Sequence, residues 1–171
     1  METAIVSIIC IALIVFGGMT MSQGFITSVD ASTTGLEEVS QRDENMMRTE
    51  LTPLTTDMPA LNTLELTLKN TGQTKLSDYE KWDIIVQYYD SVGTYYVRWL
   101  PYTEDSLGDN EWEVVQIQLD GNSEVFESGV LNPEEEIILR AQLNPSVGAN
   151  TTNMVVTATP SGVTASTYFS P

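Results

Sequence analysis

Between Glu2 and Asp30 the chain carries no charged side chain, and Ala4-Ile-Val-Ser-Ile-Ile-Cys-Ile-Ala-Leu-Ile-Val-Phe16 is almost wholly apolar. A hydrocarbon core is crossed by roughly 20 predominantly apolar residues in helical form. A segment this long and uncharged has two stable destinations. It rests in lipid, or it is buried among copies of itself. The chain beyond it is different in kind, polar and strongly acidic, and of the right size for one globular domain.

The charge balance removes whole classes of partner. Seven Lys and Arg face 24 Asp and Glu, a formal net charge of -17. A nucleic-acid binder needs a basic footprint to neutralise phosphate, and none exists. An anionic membrane surface repels the acidic part for the same reason. Such charge keeps an exposed surface solvated, and a salty exterior tolerates it because screening weakens the self-repulsion. Histidine is absent, and with it the commonest general base and metal ligand. The single cysteine, Cys10, lies inside the apolar run, where a thiol is a small hydrophobe, and no internal disulfide can form.

The head is unlike an ordinary secretory signal, which has a basic start and a small-residue cleavage site, since the first basic residue here is Arg42. Gly17, Gly18 and Gly24 each cost a helix about 1 kcal/mol relative to alanine, but in apolar surroundings they let helices approach closely. From Val29 onward, Val29, Leu36, Val39, Met46, Met47 and Leu51 recur at near-helical spacing between charged residues. The expectation is one long helix over 1–52, apolar over 3–29 and amphipathic over 30–52, ended by Pro53 and about 75 Å long at 1.5 Å per residue. Ser28, Asp30 and Ser32-Thr33-Thr34-Gly35 weaken the join, and a kink or short break is expected there. Glu2 reads as a helix N-terminal charge that favours the macrodipole.

Residues 53–60 read as a linker. The hydrophobic period then becomes two. Leu64, Leu66 and Leu68 alternate with polar residues until Asn70-Thr71-Gly72. Trp82, Ile84, Val86 and Tyr88 alternate up to a turn at Asp90–Gly93, and Tyr95, Val97 and Trp99 continue beyond it, so 82–89 and 94–100 read as a hairpin. Further strands are expected over 112–119, 137–143, 155–159 and 164–169, with Asp120-Gly121-Asn122, Asn144-Pro145 and Pro160 to Gly162 as turns. The fold class is therefore α+β, a long N-terminal hydrophobic helix followed by an antiparallel immunoglobulin-like β-sandwich over 61–171.

Carboxylates are the residues most able to carry chemistry here. Asp105, Asp109 and Glu111 share one loop, and Glu134-Glu135-Glu136 another. Paired acids can hydrolyse glycosides across a cleft, and the first loop offers oxygen ligands to calcium without the full twelve-residue hand pattern. The reading preferred for both is solvated loop. No nucleophile elbow and no phosphate loop occurs, so neither an enzyme nor a cofactor is expected. Asn150-Thr151-Thr152 is a candidate N-glycosylation sequon. Tyr88, Tyr89, Tyr95, Tyr96 and Trp99 read first as cross-strand packing and second as a carbohydrate-binding face.

A helix apolar first and amphipathic later, joined to a small sandwich, resembles the archaellins, the flagellin subunits of the archaeal motility filament related at their N-terminus to type IV pilins. The stretches that carry the likeness are Glu2-Thr-Ala-Ile-Val-Ser-Ile-Ile through Phe16-Gly-Gly18, Leu66-Thr-Leu-Lys-Asn-Thr-Gly72, Leu131-Asn-Pro-Glu-Glu-Glu136 and Val156-Thr-Ala-Thr-Pro-Ser-Gly162. They look like phrases of archaellins and of their smaller accessory relatives. The resemblance implies a subunit held in the cytoplasmic membrane, then extracted by filament assembly machinery into an extracellular homopolymer with helices in the core and sandwiches outside. Family precursors carry a short basic leader cut ahead of the apolar run, whereas no Lys or Arg precedes it here.

On this reading Ala4, Ile5, Ile8, Ile9, Ala12, Leu13, Phe16, Gly17 and Met21 form the helix-packing face that drives polymerisation. A glycoprotein carrying its glycan at Asn150 is the accompanying expectation. The runner-up functions are a membrane-anchored accessory of the same machine, acting in its stator, and an adhesive or carbohydrate-binding surface module.

Overall fold

The computed structural model describes residues 2–171. Met1 and the side chains of Glu2 and Glu38 lie outside the described residues, and with them the reading of Glu2 as a helix-terminal charge. The chain divides into two compact units, Met1–Asp43 and Glu44–Pro171.

The first unit is helical, part of α1, which spans Glu2–Arg48. No break occurs at the expected weak join. The hydroxyls of Ser32, Thr33 and Thr34 donate to the carbonyls of Ser28, Val29 and Asp30 at 2.8, 3.0 and 3.0 Å. Bonding one turn back occupies these hydroxyls within the helix, so they do not draw the backbone into a turn. The helix also ends sooner than Pro53 suggests, at Arg48.

The second unit holds nine strands. β1 is Leu51–Ala60, β2 Thr63–Asn70, β3 Asp83–Tyr89, β4 Tyr95–Leu100 and β5 Trp112–Leu119. β6 is Asn122–Ser123, β7 Glu136–Gln142, β8 Asn153–Ala158 and β9 Thr164–Phe169. Two antiparallel sheets result, ordered β1-β2-β7-β5-β6 and β4-β3-β8-β9. The fold is α+β, with the sandwich built from these two sheets.

Residues 53–60, read from the sequence as a linker, are instead most of β1, so the sandwich begins before residue 61. Pro53 and Pro59 are tolerated because β1 is an edge strand, where a missing N–H costs no ladder bond on the open side. The register of β1 against β2 shifts between Pro53 and Thr55 and again between Asp57 and Ala60. β6 pairs Asn122 and Ser123 back onto β5 where a turn alone was expected.

Period-two alternation sends one side of each strand inward. Leu64, Leu66 and Leu68 of β2 meet Ile137, Leu139 and Ala141 of β7 on one wall. Ile84, Val86 and Tyr88 of β3, with Val155 of β8, form the other. Trp82 and Trp112 are the largest side chains fully enclosed. Among the described residues every buried one lies between Thr49 and Phe169. The core of the second unit is therefore complete without residues 2–43.

Two of the sequence phrases interlock within this unit. Asn70 at the end of β2 is fully buried. Its Nδ2 donates to the carbonyls of Thr74 at 2.8 Å and Leu131 at 3.2 Å, and its Oδ1 accepts from the Gly72 amide at 3.1 Å. Its backbone N–H donates to the Glu135 carbonyl at 2.9 Å, and its carbonyl accepts from the Glu134 amide at 2.8 Å. Glu135, itself buried, accepts from the Asn132 amide at 2.7 Å. The same turn receives the chain leaving α1. Thr71 and Gly72 amides donate to the Glu50 carbonyl at 3.0 and 3.1 Å, and the Gln73 amide to the Arg48 carbonyl at 2.7 Å. One of the orphan carbonyls at a helix C-terminus is satisfied this way.

Candidate functional site

All nine residues expected to drive helix packing lie on α1. Ile5, Ile8, Ile9, Leu13, Phe16 and Met21 are exposed by 54 to 81%. Helix geometry repeats every 3.6 residues, so Ala4, Ile8, Ala12 and the residues beside them share a face. By length and composition α1 is able to cross a membrane. A Cβ added at Gly17, Gly18 or Gly24 meets nothing within 4 Å. Space inside the chain therefore gives no reason for glycine there.

Three hydroxyls of this apolar stretch are satisfied from within. Ser7 Oγ donates to the Thr3 carbonyl at 2.9 Å, Thr20 Oγ1 to Gly17 at 3.0 Å and Thr27 Oγ1 to Gln23 at 3.0 Å. A hydroxyl bonded to its own helix needs no water. Such a segment can rest in lipid or against other helices.

The outer faces of the two sheets differ in character. On the five-stranded sheet Arg140 of β7 lies opposite Glu65 of β2 on one side and Glu113 of β5 on the other. Its guanidinium meets Glu65 Oε1 at 2.8 Å and Glu113 Oε1 at 3.4 Å. Beside this row Gln118 Nε2 donates to Glu136 Oε2 at 2.8 Å. This is a polar, internally paired surface.

The four-stranded sheet turns out aromatic and aliphatic groups instead. Tyr89, Tyr95, Val97, Trp99 and Tyr168 are all exposed. Asp83 is the only charged residue among the outward positions of its strands, and it accepts from Trp99 Nε1 at 2.8 Å. Tyr95 Oη donates to Gln87 Oε1 at 2.8 Å. The expected division of the aromatics holds at Tyr88, which is buried and stacks on Tyr96 with ring centroids 5.5 Å apart.

Several of the candidate carboxylates hold local structure. Asp109 accepts from Asn144 Nδ2 at 2.7 Å, Glu111 from the Gly108 amide at 2.9 Å, and Glu134 pairs with Lys69 at 2.8 Å. The Glu134 contact is the main reason the Lys69 ammonium is raised above its usual range. Among the described residues no group of three or more His, Cys, Asp or Glu is placed to hold a metal ion. Asn150 is exposed with φ of 59°, in the left-handed region that asparagine tolerates, and Thr152 is also exposed.

No protein-family model and no curated protein matches the sequence. Solved structures do match. The archaellum periplasmic stator protein FlaG from Sulfolobus acidocaldarius is 20% identical with a TM-score of 0.52, covering 71% of this chain and 99% of that one. The complex of FlaF and FlaG from the same organism gives the same identity and score, over 71% of this chain and 89% of that one. The archaeal flagellum of Methanospirillum hungatei strain JF1 is 11% identical with a TM-score of 0.57, over 96% of this chain and 90% of its own. The chain has the fold of these archaellum proteins.

Proposed function

We propose that this chain is a structural, non-catalytic subunit of an extracellular helical filament of the archaellum type. α1 is inserted in the cytoplasmic membrane before assembly and packs against its copies afterwards, with the sandwich facing water. The observation that carries this reading is the exposure of the apolar half of α1, where Ser7, Thr20 and Thr27 already bond within the helix. A helix apolar on every side demands lipid or other helices, and heterologous contacts that do not close generate open helical polymers. The likeness to the Methanospirillum filament, which takes in nearly the whole chain, supports the same reading.

A second reading is an accessory protein of the same machinery, anchored by α1 and working in its stator. The likeness to FlaG favours it. Electron microscopy of filaments sheared from native cells, with mass spectrometry of their protein, separates the two. Abundance of this chain in a thin helical filament supports the first reading. Its retention at low copy in the membrane fraction overturns that reading in favour of the second.

A further inference from the structure

A β-sandwich has four sheet edges, and an unprotected edge is a template for another chain. Three of the four are blunted here. β1 carries Pro53 and Pro59 and two register shifts. β6 is only two residues long. β9 lies beside β1, and its Tyr168 carbonyl accepts from Thr56 Oγ1 at 3.3 Å. β4 is different. Its six residues, Tyr95-Tyr-Val-Arg-Trp-Leu100, pair with β3 without a register shift and contain no proline, glycine or carboxylate.

The free side of β4 has a definite phase. The Asp90 amide donates to the Thr94 carbonyl at 2.9 Å, so 90 and 94 are a hydrogen-bonded pair. Pairs in an antiparallel ladder alternate. Tyr95, Val97 and Trp99 therefore turn their N–H and C=O groups away from β3. Their side chains also lie on the exposed aromatic face, with Val97 59% and Trp99 58% exposed.

We infer that β4 pairs antiparallel with β4 of a second copy of this chain, about a two-fold axis through Val97. Charge selects the occupant. A chain of net charge -17 repels its copies over most of its surface, and β4 is a stretch where no carboxylate meets a carboxylate. The register is set by the residues. Centring on Arg98 would set two guanidiniums face to face. Centring on Val97 sets Val97 against Val97, Trp99 against Tyr95, and Arg98 against Tyr96.

An inward charge such as Arg98 ordinarily guards an edge. Here its guanidinium already stands 5.1 Å from the Tyr96 ring centroid, and the two-fold offers it a second Tyr96 ring. Among the described residues Arg98 makes no ion pair, and its Nε is buried without a hydrogen-bond partner. The contact is isologous and closes on itself. A two-fold cannot be propagated along a polar polymer, so the dimer goes beyond the filament reading and belongs to the subunit outside the filament.

The unit Glu44–Pro171, whose core is complete, tests this directly, and it contains no cysteine. It is expected to sediment at twice its chain mass, and Val97→Lys to sediment as a folded monomer with an unchanged circular dichroism spectrum. Directly opposite residues of a hydrogen-bonded pair sit about 5.5 Å apart at Cα, within disulfide range. Val97→Cys should therefore oxidise to a covalent dimer. Tyr95→Cys alone should not, while Tyr95→Cys mixed with Trp99→Cys should give the mixed dimer. A wild-type unit that stays monomeric overturns the inference, whether or not it is retained on a glycan column. A dimer in which Val97→Cys fails to cross-link overturns it equally.

Discussion

Asn70 and Glu135 join two distant stretches of the chain. The Asn70 N–H donates to the Glu135 carbonyl at 2.9 Å, while the Asn70 carboxamide, fully buried, donates to Thr74 and Leu131 and accepts from Gly72. Truncation to alanine keeps the backbone bond and leaves the Thr74 carbonyl without its amide donor. An unsatisfied buried polar group costs about 1–3 kcal/mol. Asn70→Ala should lower the unfolding free energy of the unit Glu44–Pro171 by about 2 kcal/mol in urea titration. Asn70→Asp should do worse at neutral pH despite its matching size, because a carboxylate would face two carbonyl oxygens. Equal loss in both variants would mean that packing, not the hydrogen-bond pattern, holds the site.

Gly72 is required by space rather than by backbone angle. A Cβ there would stand 2.5 Å from the Glu50 nitrogen and 2.6 Å from the Arg48 oxygen, both backbone atoms. The turn holding the exit from α1 would have to move. Gly72→Ala is expected to destabilise the unit by about 1–3 kcal/mol, the usual range for overpacking. Hydrogen exchange should quicken at the Gln73 amide, which donates to Arg48. Unchanged protection at Gln73 would contradict a steric role for Gly72.

These two residues also mark how far the sequence can be read. Alternation at Leu64, Leu66 and Leu68 and the punctuation of Asn70-Thr71-Gly72 place β2 correctly, because period and turn chemistry are local. That Asn70 reaches Leu131 is a matter of topology, invisible in either segment alone. β1 escaped for a related reason. Pro53 and Pro59 read as breakers until the sheet order makes their strand an edge. The helix ran through Ser32-Thr33-Thr34 because their hydroxyls bond back one turn, an option composition does not announce. Likewise alternation groups Tyr95, Val97 and Trp99 on one side of β4, while only the assembled sheet shows that side to be the outer one. The apolar run of α1 is legible as a pattern, while what covers it lies outside the described residues' own contacts.

Acid should weaken the sandwich through a few identifiable carboxylates. Lys81 hydrogen-bonds and attracts Asp78, the Phe126 and Glu127 amides bond Glu124, and Lys75 bonds Glu127. Each carboxyl is thereby held below its ordinary value, 3.8 for Asp and 4.5 for Glu. A depressed folded pKa means that the unfolded chain takes up protons first as pH falls. The stability these groups contribute is full above 4.5 and lost below it, as pH drops through the folded values. The thermal midpoint of the unit should fall on acidification below that point. Lys75→Ala should flatten the fall by removing the main cause at Glu127. A midpoint still rising well below pH 4 would show that relief of the net charge of -17 outweighs these contacts.

The proposed helix-packing face makes the last prediction, and two substitutions divide its content. Ile9 is 54% exposed on α1 and contributes nothing to the sandwich core. In Ile9→Asp a carboxylate would be buried among apolar helices, or placed in lipid, without a counter-ion, at a cost of several kcal/mol. Cells making only this variant should yield no filaments, while the unfolding of the sandwich is unchanged. Gly17 tests close approach separately. Beyond its own turn of helix, none of the described residues lies within 4 Å of a Cβ there, and alanine raises helix propensity by about 1 kcal/mol over glycine. Gly17→Ala should therefore strengthen the isolated helix. If copies meet at Gly17, bulk should nevertheless cost assembly, so Gly17→Leu should shorten or abolish filaments in electron micrographs. Normal filaments from Gly17→Leu would rule out close approach and leave burial of apolar surface to carry assembly. Normal filaments from Ile9→Asp would rule out the helix itself as the driver.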